Sequence, residues 1–164
     1  EETFKNIQFN VVIGRLNSNY NIINQLTSEY NNIALYSDVK NMSNLIRENQ
    51  IAISASGTTL YELCACGVPS ISFALVREQE KDGIKFSTDK IIAYAGSFAN
   101  SNMMDIVLAK IKELLKEYIQ NQDMRNEASI KMNQYIDGNG SIRIAKEIFC
   151  LDRRNDDKGY DIRC

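Results

Sequence analysis

Two rhythms of apolar and polar residues share the first hundred positions. Short, near-continuous apolar runs fall at 8–13, 33–36, 50–55, 70–74 and 91–94. Their β-branched and aromatic residues predict strands. Between them, apolar residues recur every three or four positions. The spacing of Ile22, Ile23 and Leu26 predicts a helix over 19–30, and that of Met42, Leu45 and Ile46 a helix over 40–48. Two further helices are expected over 58–66 and 78–86, the latter weakened by Gly83. From Ser101 onward only the helical rhythm remains. Met104, Val107, Leu108, Ile111, Leu114 and Leu115 stripe one long helix. A second is expected over 123–135, then a turn at Asp137-Gly-Asn-Gly140. A third helix, capped by Ser141, should bury Ile144, Ala145, Ile148 and Phe149.

Strands that alternate with helices predict βαβ units. Continuous apolar strands predict a parallel sheet covered on both faces. The expected fold class is therefore α/β, a Rossmann-like doubly wound parallel sheet, over residues 1–151, followed by a polar tail over 152–164. Such sheets bind ligands beyond the carboxyl ends of their strands. The loops 14–19, 36–41 and 55–59 occupy that position, and they are the most polar and least bulky loops in the chain.

Composition narrows the possible functions. The net charge of −2, with no basic cluster, argues against a nucleic-acid surface. No apolar run approaches the ~20 residues of a membrane span, and no secretory leader is expected. Cys64 and Cys66 stand two apart on an expected helix, a spacing unsuited to zinc. They, Cys150 and Cys164 read as inert thiols in a reducing cytoplasm. The chain has no histidine, so an imidazole base or a histidine-held metal would have to come from another segment. Beginning at Glu1, the chain reads as a piece of a longer protein.

The stretch from Ile51 to Phe73 carries the candidate chemistry. A strand runs into Ser56-Gly-Thr-Thr59, then a helix that stops at Gly67, then a strand after Pro69. Gly57 admits a close approach to the backbone, and free amides at a helix start favour an anion. The competing reading is an ordinary cap at Thr58 or Thr59. For Glu62 the readings are a capping box with Thr59 or a carboxylate for a ribose diol. Gly14-Arg-Leu-Asn17 is either a structural turn or a phosphate contact. It lacks the dinucleotide fingerprint. Arg15 is either a phosphate partner or solvated. Gln79 is either a sugar or phosphate contact or a polar first turn.

The run Ser54-Ala-Ser-Gly-Thr-Thr-Leu-Tyr-Glu-Leu-Cys-Ala-Cys-Gly-Val-Pro69 resembles the C-terminal domain of the MurG-related GT-B nucleotide-sugar enzymes. It is most similar to the PseG/SpsG group of UDP-sugar hydrolases and spore coat polysaccharide proteins. The likeness extends to Ile13-Gly-x-x-Asn17-x-Asn19 and to Asp137-Gly-x-Gly140-x-x-Arg143-Ile, and so covers about residues 8–150. It implies the C-terminal half of a GT-B fold that holds UDP or a UDP-sugar. Gly57, Thr58 and Thr59 would sit by the diphosphate with Ser56, and Glu62 by the ribose. Leu35 and Tyr36 would offer backbone groups to the uracil, Gly14 and Asn17 would line the phosphate side, and Gln79 the sugar side. Many members of the group carry Asn-Gln where this chain has Glu78-Gln79. The resemblance implies no catalytic residue here. The base would belong to an N-terminal domain of the same protein, and neither a cofactor nor a metal is expected.

The expected function is thus the nucleotide-binding half of a hydrolase or glycosyltransferase of bacterial surface-polysaccharide or nonulosonic acid synthesis. A non-catalytic nucleotide-binding or regulatory module is the alternative. A dehydrogenase is a weaker third reading, disfavoured by the missing fingerprint.

Overall fold

The computed structural model describes residues 4–156, with the backbone alone for 151–156. The protein is α/β with parallel sheets, as the alternation of periods predicts, but the strands form two small sheets rather than one. The chain divides into two compact units, 1–45 and 46–164.

In the first unit, β1 (Phe9–Ile13) pairs in parallel with β2 (Ile33–Ser37), in register from Phe9 opposite Ile33 to Ile13 opposite Ser37. The crossover holds α1 (Tyr20–Ser28). The loop before β2 is fixed by Asn32, whose side-chain amide donates to the carbonyls of Phe4 and Ile7 at 3.1 and 2.8 Å. Of the residues whose spacing predicts this helix, Ile22 and Leu26 are exposed and Ile23 is half-buried. The boundary between the units falls within α2 (Met42–Arg47).

The second unit contains the sheet β3-β4-β5, all parallel. β3 (Ala52–Ala55) leads through α3 (Thr58–Cys66) to β4 (Ser70–Ala74). α3 ends where Gly67 takes the left-handed conformation, φ 68°, that a side chain would strain. The Gly67 and Val68 amides then donate back to the carbonyls of Cys64 and Leu63, satisfying the helix end. Four of the five β4 side chains are buried, so β4 lies at the centre of the unit. A short 3-10 turn (Arg77–Gln79) and α4 (Glu80–Thr88) lead to β5 (Ala93–Ser97). β5 begins later than expected: Ile91 and Ile92 are buried ahead of the strand, and the register slips between the Ser72 and Ala74 pairings.

α5 (Met104–Gln120) and α6 (Gln122–Tyr135) close the unit. α4 and α5 pack on β4 and β5, and α6 packs on α3. The expected α5 stripe is buried at Val107, Leu114 and Leu115, joined by Tyr118, whereas Met104 and Leu108 are exposed. Leu60, Leu63, Ile71, Phe86, Val107 and Met132 form the core. Phe86 makes edge contacts with Tyr61 and Tyr135 at ring separations of 5.3 and 5.2 Å.

α7 (Gly140–Asp156) departs from expectation in three ways. Ser141 lies inside the helix rather than capping it. The start is instead organised by Asp137, which accepts from the Asn139 amide and from Arg143 at 2.9 and 2.5 Å. The helix also runs into the stretch read as a tail, and 157–164 lie outside the described residues. Its apolar face is open, with Ile144, Ile148 and Phe149 each 60% exposed or more. The strong amphipathic pattern marks a face, but the core of this unit is already filled by α3 to α6.

Candidate functional site

The turn after β3 is held from below by buried hydroxyls. The Ser56 amide donates to the Phe73 carbonyl at 2.8 Å, tying the end of β3 to β4. Ser56 Oγ lies 2.8 Å from Ser72 Oγ and 3.2 Å from the Phe73 carbonyl. Ser72 Oγ donates in turn to the Ser54 carbonyl at 3.0 Å. Both hydroxyls are buried, so the Ser56 side chain faces the sheet. The residue that sequence reasoning grouped with the ligand contacts is, in its side chain, part of the turn's foundation.

Above this layer the helix start is open. The N-cap of α3 is Gly57, not Thr58 or Thr59. With no side chain at the cap, no side-chain bond closes the first turn. The Leu60 amide reaches the Gly57 carbonyl at 3.0 Å. The Thr58 and Thr59 amides have no acceptor among the described residues, and both side chains are exposed. This leaves two N–H groups and two hydroxyls at the positive end of a helix dipole. The capping box expected of Thr59 and Glu62 is not formed, because the cap lies two residues earlier than that motif requires. Glu62 is exposed one turn further along α3.

Gln79 joins this turn. Its Oε1 accepts from the Leu75 amide at 2.9 Å, fixing the side chain across the loop after β4. Its Nε2 then lies 3.5 Å from where a Cβ on Gly57 would stand. An amide donor is therefore presented at the bare cap. Glu78 is exposed in the preceding 3-10 turn.

Gly14, Asn17, Leu35 and Tyr36 belong to the first unit. Gly14 and Asn17 form a tight turn, with the Asn17 amide donating to the Gly14 carbonyl at 3.0 Å. Asn17 Oδ1 accepts from the Asn19 amide at 2.9 Å, shaping the entry to α1. Arg15 faces Asp38 at 3.8 Å in an exposed ion pair, which favours its solvated reading. Leu35 is half-buried and Tyr36 exposed at the carboxyl end of β2.

Tyr94, on β5, was not singled out from the sequence. Its phenol oxygen is buried without a hydrogen-bond partner among the described residues. Burial, with a smaller contribution from Glu80, pushes its pKa above the ordinary tyrosine value. No local pattern marks such a residue, because its neighbours come from α4 and β4.

A separate cleft of about 390 Å³ lies near the amino ends of β3 and β4, lined by Arg47, Gln50, Cys66, Pro69, Gln122 and Arg125 among others. Arg125 is engaged there, donating to the carbonyls of Tyr118 and Ile119 in the last turn of α5. None of Gly14, Asn17, Ser56 to Thr59, Glu62 or Gln79 lines this cleft, although Cys66 to Pro69 at the end of the motif do. Among the described residues, no cluster of three or more His, Cys, Asp or Glu is placed to hold a metal ion, and no helix is long and apolar enough to cross a membrane.

No family model, curated protein or solved structure matches the chain.

Proposed function

We propose that the chain is the nucleotide-binding part of an enzyme acting on a UDP-activated sugar, by hydrolysis or glycosyl transfer, in bacterial surface-polysaccharide or nonulosonic acid synthesis. The observation that carries this reading is the open start of α3: unpaired amides at Thr58 and Thr59, a bare Gly57 cap, and Gln79 Nε2 beside it. The likeness of the surrounding sequence to the PseG/SpsG group supplies the identity of the nucleotide.

In this reading the α3 start receives the diphosphate. Its N–H groups and hydroxyls stabilise the negative charge that develops on the departing UDP. Glu62 accepts from the ribose, and Gln79 contacts the sugar side. Ser56 acts through its backbone and its hold on Ser72. A non-catalytic nucleotide-binding module is favoured by one fact, the absence of histidine from the chain. An imidazole base for attack would come from another segment.

Calorimetric titration with UDP, UDP-GlcNAc, CMP and NAD tests the proposal. UDP and its sugar should bind, and Thr58→Val combined with Thr59→Val should weaken UDP by roughly tenfold or more, as expected for lost hydrogen bonds to a charged group. Binding of NAD without UDP would overturn the reading. An unchanged UDP affinity in the double variant would remove the hydroxyls from the site.

A further inference from the structure

Gly83 occupies the middle of α4, where glycine costs about 1 kcal/mol relative to alanine. Its surroundings account for its place there. A Cβ at this position would stand 2.4 Å from Tyr94 Cε2, 2.6 Å from Tyr94 Cδ2 and 2.7 Å from Ser56 Oγ. All three lie inside any normal contact distance. The two Tyr94 atoms belong to the body of a half-buried ring on β5, not to a flexible tip, and Ser56 is bonded to Ser72 and Phe73. The backbone of α4 therefore rests directly on β5 and on the first residue of the candidate anion turn. One turn earlier, the same helix begins at its N-cap, Gln79, whose Nε2 lies beside Gly57.

We propose that Gly83 and Tyr94 are positioning residues of this site: their close contact seats α4 so that its N-cap Gln79 holds an amide donor at Gly57, where the anionic ligand binds. This rests on the reading of the α3 start as a nucleotide site, and adds to it how that site is held. Gly83 fixes the depth of α4. The Tyr94 ring is the floor it meets. Neither residue touches the ligand, and both act through Gln79. The buried Tyr94 hydroxyl is incidental to this seat, because the ring edge makes the contact.

The test is a double-mutant cycle on the full chain, with UDP as probe and calorimetry as readout, alongside urea unfolding. Gly83→Ala should weaken UDP by about fivefold or more, the scale of coupling between residues that share a contact. In a Gln79→Ala background the same change should leave UDP affinity within about twofold, while lowering stability as much as it does alone. A merely structural role would move affinity equally in both backgrounds, and that result, or an unmoved affinity in Gly83→Ala, overturns the proposal. Should Gly83→Ala not fold, Tyr94→Ala, which removes the floor, takes its place in the cycle with the same expectation. Tyr94→Phe keeps the ring and should keep the affinity, whereas a loss there would move the role to the hydroxyl and overturn the seat. Absence of UDP binding by the unaltered chain would sink the site itself. Binding that is indifferent to Gly83 sinks only this inference.

Discussion

Ser56 and Ser72 are small polar residues placed where a strand core calls for apolar ones, and their burial is tolerable because each hydroxyl finds oxygen. Removing one partner is worse than never having had the pair. Ser72→Ala leaves the Ser54 carbonyl and Ser56 Oγ short of a partner, and should lower stability by about 1–3 kcal/mol in urea unfolding. A loss near zero would mean that the hydroxyl layer holds nothing. Cysteine chemistry divides by the same criterion of surroundings. Cys64 is wholly buried in α3, and burial pushes its thiol up to about 12. Cys66 is half-buried beside the cleft at the end of that helix. In the folded protein at neutral pH, a thiol reagent should label Cys66 while Cys64 stays unreacted until the chain unfolds, as peptide mapping would read directly. A raised pKa keeps the proton on the folded form, so the Cys64 contribution should hold below the ordinary thiol value and fade as pH climbs through about 12.

At the scale of elements, α3 and β4 lie where their patterns place them, since a capless glycine turn, a Gly67 stop and an apolar run are local signals. The candidate site was legible for the same reason: Ser56 to Glu62 is one continuous strand–turn–helix. What local pattern could not supply was direction and partnership. The cap it offered, in the reading that competed with an anion site, was Thr58 or Thr59, because hydroxyls usually cap, whereas the chain uses Gly57. It read Gly83 as a weakness in a helix, because Tyr94 comes from β5 and Ser56 from the turn after β3. It buried the α7 face because amphipathicity shows which side is apolar and not whether anything covers it. The start of α7 yields a pH prediction. Arg143, followed by the Asn139 amide, holds the Asp137 carboxyl down to about 2. A depressed carboxylate stabilises the fold above its ordinary value, and the benefit is lost as pH falls through about 2. A carboxyl-carbon NMR titration should place the Asp137 midpoint near that value, and Arg143→Gln should raise it towards an ordinary aspartate. An Asp137 midpoint indifferent to Arg143 would contradict the pairing.

At the scale of the whole molecule, the two units differ in how much apolar surface each hides. Among the described residues, the first buries Ile13 and Leu45, while β2 and α1 leave Tyr36, Ile22 and Leu26 exposed. The second encloses β4 between helices and carries most of the buried side chains, from Leu60 through Met132. Burial of apolar area is the main source of stability, at about 25 cal/mol per Å². Opening free energy should therefore be uneven along the chain, and hydrogen exchange reports it amide by amide. The amides of β4 and of its pairing with β3 should be the slowest to exchange, and those of β1 and β2 should exchange earlier, through openings that leave the second unit closed. The helix-start amides of Thr58 and Thr59, which have no acceptor among the described residues, should exchange rapidly despite their place beside the most protected strand. Adding UDP should slow those two amides selectively if the anion occupies the α3 start. Uniform exchange across both units would show that they open together. A ligand effect confined to β1 and β2 would place the nucleotide elsewhere.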